Sequence, residues 1–352
     1  MQLGSPLART LRQAHLSAMV TSRRAVLASV LLLSANPAPA ADPDQTLLAR
    51  GLALADATPD LRTLTISQRG LLVAQRVWRG ASLTRPTNIK SAAKTIVDAL
   101  AGIGAARGLF SLDDRIEPIL GNLVPPGVDP RVGQITIRHL LGMRAGLEGT
   151  SGANYGRWVS SRNWLSYALS RPFVDEPGGR MVYSTASSHI LGAILARVGG
   201  QTLRDLVQTW LGTPLGFTVP EWARDPQGFY FGGNDMAITP EALLTFGECC
   251  RNGGRHNDRR VIPEAFLAEA WKPAVRSTFS GQLYGLGWWI GKPTGEPMVF
   301  AWGYGGQMVY LLPRLELTVV MTSDADVPRV PGQVFTRHTL LIDGILPAFK
   351  AA

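Results

Sequence analysis

Ser91-Ala-Ala-Lys94-Thr-Ile-Val-Asp-Ala-Leu-Ala-Gly-Ile-Gly-Ala-Ala106 is the stretch on which the organisation of this chain turns. From Ala92 onward, Ile96, Val97, Leu100 and Ile103 share one stripe at helical spacing. Upstream, a short helix is predicted at Gln45–Leu54. Leu61–Ser67 and Leu71–Trp78 then flank a Gln68-Arg-Gly turn, which predicts an antiparallel hairpin. Downstream, segments rich in Gly, Pro and Trp alternate with short helices expected at Thr136–Leu141, Trp164–Ser170, Ser187–Val198, Leu203–Leu211, Pro240–Arg251 and Pro263–Trp271. Strand character returns at Tyr284–Ile290, Met298–Trp302, Gln307–Leu312 and Leu317–Thr322, before an amphipathic stretch at Gln333–Ile345. Strands at both ends with helices between them predict an α/β (α+β) fold. One antiparallel sheet is built from both termini and flanked by helices, with a mostly helical region inserted. The expected parts are 41–107 and 272–352 for the sheet region and 108–271 for the helical region, together one unit.

The opening tetrad also carries chemistry. On a helix, residues three apart face the same side, so the Ser91 hydroxyl and the Lys94 amine can share a pocket. Desolvation disfavours an ammonium, so such a lysine can be neutral near pH 7 and take the serine proton. The chain holds thirty Arg and only five Lys, and uses Arg wherever any cation will serve. Arg cannot release its proton, so a Lys at 94 stands where that difference matters. Lys90 has no such reason. The alternative for Ser91 is a plain helix cap.

Two further elements could complete a site. Tyr183-Ser184-Thr185 follows Glu176-Pro-Gly-Gly-Arg and opens a predicted helix. A phenol beside a lysine ammonium would be acidified and could pass a proton to a leaving group. Ser161-Arg162-Asn163 is a rival of SxN type. Trp302-Gly303-Tyr304-Gly305-Gly306-Gln307 lies between two predicted strands, where glycines permit close backbone approach to a ligand. A backbone N–H here, with that of Ser91, could form an oxyanion hole. A hairpin turn would need the same glycines. Trp158, Trp164, Trp222 and Trp289 could wall a pocket, although core packing is the safer reading for each.

Other chemistries lack their motifs. The sequence has no GxSxG elbow, Walker A loop, GxGxxG fingerprint, HExxH or CxxC pair. His139, His189, His256 and His338 read as structural, and Cys249 and Cys250 as buried thiols, so no metal is expected. The net charge is +9, but the first forty residues hold four Arg and no acid. Without them 31 bases face 26 acids, dispersed with no basic stripe, so no nucleic-acid partner is expected. No apolar run reaches the roughly 18 residues that span a bilayer, so no stable membrane insertion is expected. Arg23-Arg24, the apolar Ala25–Leu33 and Ala38-Pro39-Ala40 together read as an export signal with cleavage near Ala40, of Sec or twin-arginine type. Translation from Met1 or Met19 would both carry it. A periplasmic or secreted protein is expected.

In this order, the three elements resemble the penicillin-recognising serine hydrolases: class C β-lactamases, DD-peptidases, β-lactamase-fold esterases and 6-aminohexanoate-oligomer hydrolases. Ile135-Thr-Ile-Arg-His-Leu-Leu-Gly-Met-Arg-Ala-Gly-Leu147, Asp225–Met236, the helix ending Asn252-Gly-Gly, and Gly285-Leu-Gly-Trp-Trp289 add to the likeness, chiefly toward the 6-aminohexanoate-hydrolase-like branch. The resemblance implies a β-lactamase/transpeptidase-like fold, with Ser91 as acylated nucleophile, Lys94 as proton acceptor and Tyr183 as proton relay. It implies no cofactor. Thr185 stands where the family pattern has an amide donor. Tyr304-Gly305-Gly306, or Gly303-Tyr304-Gly305, stands where it has KTG or HTG. Gly306 or Gln307 would then supply the second oxyanion N–H, and Trp302 an apolar face. With no cation in that motif, the expected substrate is an uncharged ester or small amide, with weak or no β-lactamase activity. The other reading is a catalytically silent relative that binds peptidoglycan or a small ligand.

Overall fold

The computed structural model describes residues 41–326 and 333–349. The expected export signal at 1–40 lies outside the described residues. Helix α1 (Gln45–Asp56) is capped by the Asp44 carboxylate, which accepts from the Thr46 and Leu47 N–H groups. Strands β1 (Leu61–Gln68) and β2 (Leu71–Val77) form the expected hairpin, whose turn places Arg69 and Gly70 at positive φ. Helix α2 (Ala93–Ala106) follows, then α3 (Thr185–Gly199) and α4 (Pro240–Arg251). The remaining strands of the main sheet are β3 (Val275–Arg276), β4 (Leu283–Tyr284), β5 (Trp289–Gly291), β6 (Met298–Gly303), β7 (Gln307–Leu312) and β8 (Leu317–Ser323). Helix α5 (Gln333–Thr339) closes the described chain and runs on into a wider helical turn at Leu340–Ile345.

These eight strands make one antiparallel sheet in the order β2-β1-β8-β7-β6-β5-β4-β3, and two small two-stranded sheets pair Thr87–Asn88 with Ala237–Ile238 and Arg255–His256 with Arg259–Arg260. Its two halves meet where β1 pairs with β8, Thr65 lying opposite Val320. Alternation along the central strands sends side chains to two faces. Val299, Ala301, Val309, Leu311 and Val320 join the core that contains α2, α3 and α4. Phe300, Met308, Tyr310, Val319 and Met321 join the core that contains α1 and the Leu340–Ile345 turn. Sheet residues are thus buried on both faces, which is why these strands read as nearly unbroken apolar runs.

Helix α2 runs through the middle of the first core. Every residue from Ala93 to Gly104 is buried, so the single stripe expected from the sequence is in fact a helix covered on all sides. Gly102 allows this, since a β-carbon there would fall 2.3 Å from the Phe266 ring. The predicted strand Tyr284–Ile290 is also corrected. It is two short strands joined by a turn in which Gly285 N–H donates to the Trp288 carbonyl at 2.9 Å and Gly287 takes φ +75°. The glycines that break the strand are there for contact, because a β-carbon on Gly285 would stand 1.9 Å from the Ala270 carbonyl oxygen.

Candidate active site

The regular part of α2 begins at Ala93, and Ser91 sits just ahead of it in a tight turn spanning Lys90–Ala92. Lys90 adopts φ +51°, a conformation that costs a non-glycine residue roughly 1 kcal/mol. Its N–H donates to Asn88 Oδ1 at 2.9 Å, and its ammonium lies 3.8 Å from Asp235, which also accepts from Asn88 Nδ2. Lys90 therefore has a task after all: it holds the bend that presents Ser91.

Ser91 does not act as a cap. Its Oγ lies 3.0 Å from Lys94 Nζ, and the Tyr183 phenol is near enough to feel the Ser91 hydroxyl. Lys94 is 2% exposed and donates further to the Gly233 carbonyl at 2.5 Å and to Thr185 Oγ1 at 3.3 Å. Its Nζ stands 5.3 Å from the centre of the Tyr183 ring. Burial brings the Lys94 pKa down to about 7, partly opposed by the Asp98 carboxyl group. An amine with that value is about half unprotonated at neutral pH, and that fraction can accept a proton.

Tyr183 behaves differently from the sequence expectation. Burial pushes its pKa up to about 12, against a smaller lowering by the Ser91 hydroxyl, and Asp98 raises it further. Desolvation wins over any acidifying effect of Lys94, so Tyr183 rests as a neutral phenol and not as a phenolate. Phe279 and Trp289 cover its ring, at centroid distances of 5.6 and 5.8 Å.

The start of α3 is fixed from outside the helix. Ser184 makes no cap of its own. Instead Ser151 Oγ accepts the Thr185 N–H at 3.0 Å, and Thr150 Oγ1 accepts that of Ala186 at 2.9 Å. Thr185, expected to face substrate, is 4% exposed and its hydroxyl is shared between Lys94 and Ser151, the latter at 2.9 Å. It steadies the lysine. The rival Ser161-Arg162-Asn163 makes no contact with this cluster: Asn163 Oδ1 caps the helix Trp164–Leu169 by accepting from Ser166 N–H.

The third element is divided. The end of β6 presses on the nucleophile turn, since a β-carbon on Gly303 would fall 2.2 Å from the Ile89 carbonyl oxygen. Trp302 faces Trp289 and Phe279 at 5.1 and 6.3 Å, and Tyr304 is 43% exposed. Gly305 and Gly306, at φ +77° and +91°, turn away toward Ala325 and Ser323. The Gly306 N–H donates to the Gly303 carbonyl at 3.2 Å, which closes the turn. The buried Gln307 side chain is locked on the Ser323 backbone, donating to its carbonyl at 2.6 Å. The Gly306 N–H is thus spent on the hairpin and the Gln307 side chain on the neighbouring strand, while the backbone of Gly303 packs on the Ser91 turn.

Trp158, Trp164 and Trp222 are core residues, and the first two pack around a buried His189–Asp225 pair 3.0 Å apart. Trp289 alone of the four tryptophans joins the site. His338 is buried against Tyr310, Phe300 and Trp302. Among the described residues no group of His, Cys, Asp and Glu could hold a metal ion, and no helix is long and apolar enough to cross a membrane. Asp98, Ser151, Gly233 and Phe279 were not expected at the site. Only Asp98 had a sequence signal, one turn beyond Lys94 on the same helix.

The model of the Beta-lactamase family matches residues 64–342. Among solved structures, a Bacillus anthracis protein designated a 6-aminohexanoate-dimer hydrolase superposes with TM-score 0.71 at 17% identity, over 84% of this chain and 81% of its own. A D-stereospecific amidohydrolase from Streptomyces gives 0.64 at 19%, over 83% and 98%. EstCE1, a hydrolase with promiscuous acyltransferase activity, gives 0.67 at 19%, over 86% and 98%. At these identities the structural likeness is one of fold.

Proposed function

The chain belongs to the beta-lactamase family, a family of serine hydrolases, and from that premise we propose that it is an exported hydrolase working through an acyl-Ser91 intermediate. One observation carries the reading: the Ser91 hydroxyl lies 3.0 Å from the buried Lys94 amine, which stands 5.3 Å from the centre of the Tyr183 ring. As Ser91 Oγ bonds to the substrate acyl carbon, its proton passes to Lys94. Tyr183, a neutral phenol, donates its proton to the departing oxygen or nitrogen and recovers one from Lys94. Water attacking the acyl-enzyme retraces the path. The Ser91 N–H and the backbone after Gly303 are the donors proposed for the developing oxyanion.

The favoured substrates are uncharged esters or small amides. Tyr183, Phe279, Trp289 and Trp302 form a continuous aromatic wall beside the nucleophile, and Phe279 is 60% exposed. The nearby cations are engaged elsewhere. Lys90 is paired with Asp235, and Arg337, beside Gly306, is fully buried between Asp60 and Ser323. A substrate carboxylate would find an apolar surface there. A fluorophosphonate probe should label Ser91, as read by peptide mass spectrometry, and p-nitrophenyl butyrate should exceed nitrocefin in kcat/KM. Folded but unlabelled protein would support a silent binder, and faster nitrocefin turnover would overturn the substrate assignment.

A further inference from the structure

Asp98 lies four residues beyond Lys94, on the same face of α2. It is 1% exposed, and among the described residues neither carboxyl oxygen has a hydrogen-bond partner. Buried polar groups are nearly always bonded, because an orphan forfeits its hydration without recompense. The opposite wall is backbone: a β-carbon on Gly287 would fall 2.0 Å from Asp98 Oδ2. Gly287 cannot retreat, since its N–H donates to the Leu141 carbonyl at 3.1 Å and its own carbonyl accepts from Thr95 Oγ1 at 2.8 Å. The ionisable groups coupled to this carboxyl are Lys94 on its own helix, Tyr183 ahead of α3 and Tyr284 on β4. Lys94 is the cation among them.

We propose that Asp98 is a positioning residue for the catalytic base, its buried and unpartnered carboxyl group setting how readily the Lys94 amine takes the Ser91 proton. The inference rests on the serine-hydrolase reading above. Burial alone would make Lys94 a feeble base. A negative charge one turn away stabilises the ammonium that forms as the Ser91 proton arrives, and Tyr183 then returns that proton to the leaving group. Burial pushes Asp98 toward its neutral acid and the Lys94 ammonium draws it back toward the carboxylate, so the negative charge is favoured just when Lys94 is protonated and the charged forms support each other.

Asp98→Asn keeps the shape and removes the charge. Lys94 then loses a partner that raises its proton affinity. The acid limb of kcat/KM should therefore move to lower pH, by about half a unit or more. The plateau kcat should fall roughly three- to tenfold as the base weakens, with KM nearly unchanged. Asp98→Ser should move both quantities the same way. An unmoved limb and plateau in either folded variant overturns the proposal, and so does loss of folding in both, which would mark Asp98 as structural. Fluorophosphonate labelling separates the two failures. Absence of label on wild-type Ser91 defeats the serine-hydrolase reading, whereas a labelled Ser91 with an unmoved limb defeats only the role of Asp98.

Discussion

Gly303 and Ile89 meet backbone to backbone: a single added carbon on the glycine would overlap the Ile89 carbonyl at 2.2 Å. The end of β6 is thereby set against the turn that carries Ser91, and the gap between them is fixed by the lack of a side chain. Gly303→Ala must push strand and turn apart. Displacements of about 1 Å at a reacting centre can cost on the order of 100-fold in rate. A loss of that size in kcat/KM for p-nitrophenyl butyrate is expected, with the far-ultraviolet circular dichroism unchanged. Wild-type turnover in this variant would show that β6 does not shape the site.

The pH dependence follows from Lys94. With its pKa lowered to about 7 by burial, it is charged and unable to accept a proton below that value, and free to do so above it. Activity should rise with pH through about 7 and then level. Lys94→Arg keeps the charge but cannot lose it, so it should be inactive at every pH. Measurable turnover by the arginine variant would mean that another group takes the Ser91 proton.

Tyr183→Phe removes the relay and leaves the base. A fall of roughly 10²- to 10⁴-fold in kcat is expected, as for loss of a general acid. Because burial pushes the phenol up to about 12, the wild-type enzyme should show no alkaline decline from this group below about pH 10. An activity loss near pH 8 that disappears in the phenylalanine variant would contradict the neutral-phenol assignment.

Much of this arrangement was legible in the sequence because it is local. The Ser91–Lys94 pairing follows from helical spacing, and the hairpin of β1 and β2 from its residue types and Gly70. The expectations that failed depended on surroundings. Tyr183 was expected to be acidified by Lys94, but its ring is enclosed by Phe279 and Trp289, residues about a hundred positions away. Thr185 was expected to face substrate, but Ser151 and Lys94 turn it inward. Gly306 has the composition of an oxyanion loop, yet its N–H closes the hairpin. Burial and long-range partners decide such cases, and spacing does not encode them.

The pairing of β1 with β8 has a consequence for synthesis of the chain. Thr65 and Val320 are neighbours in the sheet but some 250 residues apart along the polypeptide. On a ribosome, the first hairpin must therefore wait with one long edge unclosed until almost the whole message has been read. Such an edge is open to pairing with other nascent chains. A protein shortened before Leu317 would keep Ser91 and Lys94 in its sequence yet leave that edge permanently bare, ready to seed aggregation in place of an enzyme.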